Sequence, residues 1–118
     1  MEKINLAQKF SLFQDHWSPK IVGELNGQYV KLAKLEGEFV WHSHANEDEL
    51  FLVVSGVLRI LLEDHELTLS PGEFAIIPKG IRHLPIADVE VEVILLEPKT
   101  TNSTGGVADP RSTGGEWL

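Results

Sequence analysis

Three histidines and one glutamate, His42, His44, Glu49 and His83, have the types and spacing to do chemistry together. On an extended strand, residues two apart face the same side, so His42 and His44 direct two imidazoles to one point. Glu49, five residues on, opens the next predicted strand and can return to that point. A second segment brings His83, after Pro78 and Gly80 turn the chain. Three neutral imidazoles and a carboxylate suit one divalent ion such as Fe, Mn, Ni, Zn or Cu. Four protein ligands on an octahedral ion leave two positions for water, oxygen or substrate, an arrangement that fits catalysis better than a purely structural site. Glu49, if it can leave the ion transiently, is the only residue of the set available as a catalytic base.

The spacing around these residues is specific. The first segment reads Gly37, four residues, His42-Ser43-His44, four residues, Glu49, six residues, Gly56. The second reads Gly72, five residues, Pro78-Lys79-Gly80, two residues, His83. Together they resemble the paired motifs of the cupin superfamily, G-x5-H-x-H-x3/4-E-x6-G and G-x5-P-x-G-x2-H-x3-N. Gly37 stands one residue closer to His42 than that pattern has it, and Ala87 occupies the final Asn position. The resemblance implies a single-domain all-β protein, a double-stranded β-helix or jelly-roll barrel. It places His42, His44, Glu49 and His83 on the metal ligands and Gly56, Gly72, Pro78 and Gly80 on turns. Family habit implies a homodimer. Size and tail also look similar to short bacterial cupins of the mannose-6-phosphate-isomerase-like kind.

The elements that must position these residues follow from the hydropathy pattern. Short apolar or alternating runs predict strands over 21–25, 28–35, 38–41, 49–54, 57–62, 66–69, 74–77, 83–86 and 89–97. Asn26-Gly27 is a strong hairpin signal, because both residues tolerate positive φ. Many short strands without helical periodicity between them point to a sandwich or barrel. Residues 1–20 are expected to pack on the barrel or on a partner, as a helical turn or an outer strand, and 21–98 to form the barrel. The tail, 99–118, is rich in Gly, Ser and Thr yet closes on Trp117-Leu118. Two readings stand: a flexible tail, or one docked through its terminal apolar pair.

Alternation places Val40, Phe51, Val53, Ile81 and Pro85 on the ligand-bearing face, a mostly apolar wall with no further acid or base. Phe39 and Trp41 fall on the opposite face, beneath the N-terminal segment or in an interface. Glu47 and Asp48 are expected at the barrel mouth, where either could support a ligand imidazole. Arg59 is read as outward-facing, His65 as solvated, and Tyr29 as either a pocket hydroxyl or a plain strand residue.

Net charge is -8, with 18 acidic and 10 basic side chains and no Lys/Arg cluster. That balance opposes nucleic-acid binding and gives no reason to seek an anionic membrane surface. The chain has no cysteine, which removes disulfides and thiolate chemistry. The first residues lack a signal-peptide pattern, so a cytoplasmic protein is expected. The functional expectation is a metal-dependent enzyme of dioxygenase, isomerase or lyase type acting on a small carbonyl or phenolic compound. The alternative is a barrel that binds or senses a small molecule without turnover.

Overall fold

The computed structural model describes residues 1–118. A short helix, α1 (Leu6–Phe10), precedes eight strands: β1 (Lys20–Leu25), β2 (Gln28–Glu38), β3 (Glu49–Ser55), β4 (Leu58–Leu61), β5 (Glu66–Leu69), β6 (Phe74–Ile77), β7 (Leu84–Pro98) and β8 (Glu116–Trp117). Asn26 and Gly27 adopt φ of 50° and 77°, the left-handed pair that a tight β1–β2 hairpin demands.

Strand β7 organises the barrel. One edge pairs with β2 along nearly its whole length, from Gln28↔Pro98 to Glu38↔Ile86. The other edge has two partners, β4 at residues 84–86 and β3 at residues 92–96. β3 and β4 follow one another antiparallel along that edge and carry β6 and β5 on their far sides, so the sheet branches around an apolar interior. That interior holds Ala33, Val53, Leu58, Ile60, Val91 and Val93, all with no exposure. The fold is the all-β barrel expected from the strand pattern, with two local differences. Predicted strands 83–86 and 89–97 are one strand, in which the exposed Asp88-Val89-Glu90 stretch forms a bulge where the register with β2 shifts. Predicted strand 38–41 is absent as such. β2 continues to Glu38, and only the Phe39 amide, donating to Pro85 O at 3.1 Å, prolongs the ladder.

The N-terminal segment begins as a helical turn, capped by Asn5 Oδ1, which accepts from the Gln8 amide at 3.0 Å. Phe10 and Phe13 then seal Leu32 on the outer face of β2. Trp17 follows with φ 57°, an unfavourable value for a side-chain-bearing residue. Its amide donates to Lys34 O and its indole to Glu36 O, both at 2.9 Å, and these bonds hold it there.

The tail is docked. β8 pairs in parallel with β1, and Trp117 meets Tyr29 edge-on at 5.6 Å between ring centroids. Trp117 nevertheless stays 59% exposed, so backbone pairing and the fully buried Thr101 and Thr104 anchor the segment more than its terminal aromatic does. Gly105, at φ 61°, lies against the Ser43 carbonyl where a Cβ would collide with backbone. Gly105→Ala is therefore expected to release the tail. Amide exchange across residues 100–118 should accelerate at least about tenfold while the β2–β7 amides keep their protection. Unchanged exchange would contradict this packing.

Candidate metal centre

Backbone pairing brings the two motif segments together before any side chain contributes. His42 and His83 form an isolated antiparallel bridge and exchange both amide hydrogen bonds, at 3.1 and 2.9 Å. Gly80, at φ 82°, turns its amide onto His44 O at 2.8 Å. Glu49, first residue of β3, faces inward in the same parity as Phe51 and Val53. One ligand atom from each of His42, His44, Glu49 and His83 then lies within 4.8 Å of the others. All four residues are buried.

The proton placement on two rings follows from their partners. His42 Nδ1 lies 2.8 Å from Val40 O and His83 Nδ1 2.9 Å from Ile81 O. A carbonyl can only accept, so each Nδ1 donates and each Nε2 keeps its lone pair free. His44 Nε2 and His83 Nε2 each stand 3.5 Å from Glu49 Oε1. These three atoms are buried without a hydrogen-bond partner. An orphaned buried polar atom costs about 1–3 kcal/mol, and a cation bound among these three would offset that cost. Donor types, orientation and burial thus all fit a divalent ion.

Val40 and Ile81 were expected to line the site with their side chains. They contribute carbonyls instead, and Ile81 is 44% exposed. Phe51 and Pro85 do face the cavity beside the cluster, whereas Val53 lies within the core. Phe39 is a correction: it lines the cavity rather than the opposite face, because irregular backbone after Glu38 breaks the alternation. It stacks on Trp17 at 4.5 Å and 11°, and meets His42 edge-on at 5.4 Å. Trp41 sits half-buried beneath the Arg82 guanidinium, 5.3 Å from its ring centroid. Asp48 and Glu47 do not support an imidazole. Asp48 accepts from the Lys79 amide and Glu47 from the Thr100 hydroxyl. Arg59 faces outward to Glu66 and Asp88, and Tyr29 is a wall for Trp117.

A further acid was missed. Glu97 lines the cavity, is 2% exposed, and its Oε1 accepts from Lys31 Nζ at 2.7 Å. Both residues sit in the inward parity of their strands, among Ala33 and Leu35 on β2 and Val93 and Leu95 on β7. A pair of opposite charges in the inward parity of two neighbouring strands was the available signal. Burial and the adjacent Glu49 charge push Glu97 well above the ordinary carboxyl range, against the pull of Lys31. Burial alone would raise Glu49 as well. Its contacts with Glu97, His44 and His83 outweigh that and keep it well below the usual range. The two carboxyls thus shift in opposite directions, and Glu49 is the one favoured as the carboxylate a cation needs.

Burial, reinforced by neighbouring His83, lowers His42 from 6.5 to about 4. The unfolded chain takes up that proton near 6.5, so between 6.5 and 4 it holds more protons than the folded chain. Metal-free protein is thus expected to lose about 2 kcal/mol of stability from this group between pH 7 and pH 5. Urea midpoints at the two pH values measure it, and equal midpoints would contradict it.

The cavity beside the cluster is small, about 40 Å³, and half its lining is hydrophobic. The docked tail closes one side: Ser103 forms part of the wall, and the Arg111 guanidinium covers Phe39 at 4.7 Å.

Residues 28–97 match the cupin domain family. That is more than half of the chain, which therefore belongs to the cupins. It is 49% identical to a cupin-2 domain protein from Shewanella frigidimarina, whose crystal structure superposes with a TM-score of 0.80 over 80% of this chain and 93% of that one. Protein NMB1881 from Neisseria meningitidis is 31% identical, with a TM-score of 0.76 over 82% of this chain and 99% of that one. The uncharacterised protein YdbB of Bacillus subtilis is 37% identical over 79 residues, 66% of this chain and 70% of its own. These relatives support the superfamily and not the narrower mannose-6-phosphate-isomerase-like grouping.

Proposed function

We propose that this cupin is a metal-dependent enzyme acting on a small carbonyl or phenolic compound, with one divalent ion held by His42, His44, Glu49 and His83. The observation that carries the reading is the set of orphaned donor atoms converging beside an apolar cavity. A divalent ion there supplies a Lewis acid and, if redox-active, a route to oxygen chemistry. The chain's own residues do the rest. His42 and His83 are fixed in the donor tautomer by their backbone partners. Phe39, Phe51, Leu35 and Leu95 exclude water from the reacting end of the substrate. Such a wall suits a compact molecule that chelates through two oxygens better than a free sugar, which needs many polar partners.

The test is turnover by protein loaded with iron, manganese, nickel, copper or zinc in turn. Oxygen uptake is followed with phenolic compounds, and isomerisation or bond cleavage with small carbonyl compounds. One ion is expected to support turnover that His42→Ala abolishes. A ligand bound tightly and released unchanged under every ion would instead favour a non-catalytic binding barrel.

Two further readings belong with this one. No helix is long and apolar enough to cross a membrane, and the cysteine-free chain suits a reducing cytoplasm. The outer face of β3 and β6 suits a homodimer. Leu50 is in register with Ile76 and Leu96, and Leu52 with Phe74 and Ile94. Phe74 and Ile76 are 56% and 55% exposed. An apolar patch of this kind marks an interface. Wild-type protein is expected to sediment as a dimer and Ile76→Lys as a monomer; a monomeric wild type would contradict it.

A further inference from the structure

The cavity beside the histidine cluster is too small for an ordinary ligand. Its 40 Å³ holds roughly three water molecules, whereas pockets for small molecules run from about 300 Å³ upward. One wall must therefore give way, and the walls are not equally fixed. Ala33 and Leu35 of β2, Phe51 of β3 and Leu95 of β7 belong to paired strands. Trp17 is tied to β2 through both its amide and its indole. Ser103 is the one lining residue that comes from the tail.

The tail is bonded mainly to itself. The Ser103 amide donates to Thr113 O at 2.8 Å, and the Thr113 amide donates back to Ser103 Oγ at 2.9 Å. Thr104 Oγ1 donates to Val107 O at 2.8 Å, and Ser112 Oγ to Asn102 Oδ1 at 2.7 Å. Its ties to the barrel are peripheral: the edge pairing of β8 with β1, a Thr100–Glu47 hydrogen bond, the Lys20–Glu116 ion pair, and Arg111. Arg111 Nη1 donates to Glu38 O at 3.2 Å while its guanidinium rests on the Phe39 ring. Little apolar area holds the segment down, since Val107, Trp117 and Leu118 stay exposed. Thr101 is buried with its hydroxyl unpartnered, a cost that water relieves once the segment lifts. A segment stiffened from within and weakly fastened moves as one body.

We propose that residues 100–118 are a lid, which opens as a unit to admit a molecule to the histidine cluster and recloses over it. Ser103 is then the lid's contribution to the wall, and Arg111, lying across Phe39 and Trp17, is its latch. Gly105 sets the closed position, against the Ser43 carbonyl between two of the cluster histidines, where no Cβ fits. A lid serves an enzyme and a binding barrel alike, so it goes beyond the choice between them.

The experiment follows a reagent into the site. Full-length protein, stripped of metal with a chelator, is treated with diethyl pyrocarbonate at neutral pH, and modification of each histidine is timed by peptide mass spectrometry. His44 and His83 carry unpartnered ring nitrogens beneath the lid, and the exposed His65 is the internal control. Two variants move the lid in opposite senses. Gly105→Ala releases it. Lys20→Cys/Glu116→Cys fastens it, because these residues are in register on neighbouring strands, within disulfide reach, and the chain has no other cysteine. Gly105→Ala is expected to raise the His44 and His83 rates at least about tenfold, with the β2–β7 amides still protected from exchange. The oxidised double-cysteine variant is expected to react at His44 and His83 at least about fivefold more slowly than the same protein reduced, with His65 unchanged throughout. Equal rates in the oxidised and reduced forms, with the disulfide verified by mass, would overturn the proposal. So would an unchanged rate in Gly105→Ala protein whose tail amides exchange faster, and that comparison decides the matter if the disulfide does not form. Neither failure touches the metal reading, because the reagent reports on access to the histidines and not on what they bind.

Discussion

His83→Ala protein, purified without chelators, is expected to hold less than about a tenth of the metal found in wild type, with affinity for added Zn(II) or Co(II) reduced at least about 100-fold. His83 is the largest single loss because it serves the site twice. Its Nε2 is one of the converging orphan atoms, and its Nδ1 bond to Ile81 O sets the ring's orientation and tautomer. Its backbone bridge to His42 would survive the substitution, since both hydrogen bonds run through main-chain atoms. The barrel should therefore remain folded, which circular dichroism checks, so that lost metal reports a lost ligand rather than a lost fold. Metal retained at wild-type affinity would remove His83 from the site.

Glu97→Leu alone is expected to destabilise the protein by about 3–5 kcal/mol, because Lys31 then keeps a buried ammonium with no counter-charge. For a domain of this size that lowers the melting temperature by more than about 10 °C. The double replacement Glu97→Leu/Lys31→Met is expected to recover most of the loss and end within about 1 kcal/mol of wild type. This sign pattern follows from desolvation: an unmatched buried charge is costly, whereas a buried pair exchanged for apolar groups of similar volume is nearly neutral. Thermal and urea unfolding of the three proteins measure it. A double variant no more stable than Glu97→Leu would show that the pair does not stabilise through its mutual charge.

What the sequence revealed of this molecule, and what it hid, has a common physical origin. The metal-site residues could be read because their constraints are local: a two-residue spacing on extended backbone, a five-residue step to the next strand, and a proline-glycine turn before His83. The Asn26-Gly27 hairpin was legible for the same reason, since its φ values restrict the residue types directly. Phe39 was misplaced because alternation presumes regular strand, and the chain leaves regular pairing at Glu38. Glu97 was missed because the meaning of a charge in the inward parity depends on a partner 66 residues away, Lys31. The docked tail could not be decided because its anchors are backbone hydrogen bonds and the small side chains Thr101 and Thr104, which leave no hydrophobic signature. Trp117, the residue that hinted at docking, is in fact the more exposed part of it.

The central claim is that the orphaned atoms of His44, Glu49 and His83, with His42, hold one divalent ion. Elemental analysis of wild-type protein purified without chelators or tag tests it most directly. About one equivalent of iron, manganese, nickel, copper or zinc per chain is the expected result. Protein that carries no metal, and still takes up none when each ion is added at neutral pH, would contradict the claim and turn the histidine cluster into part of a binding barrel's core.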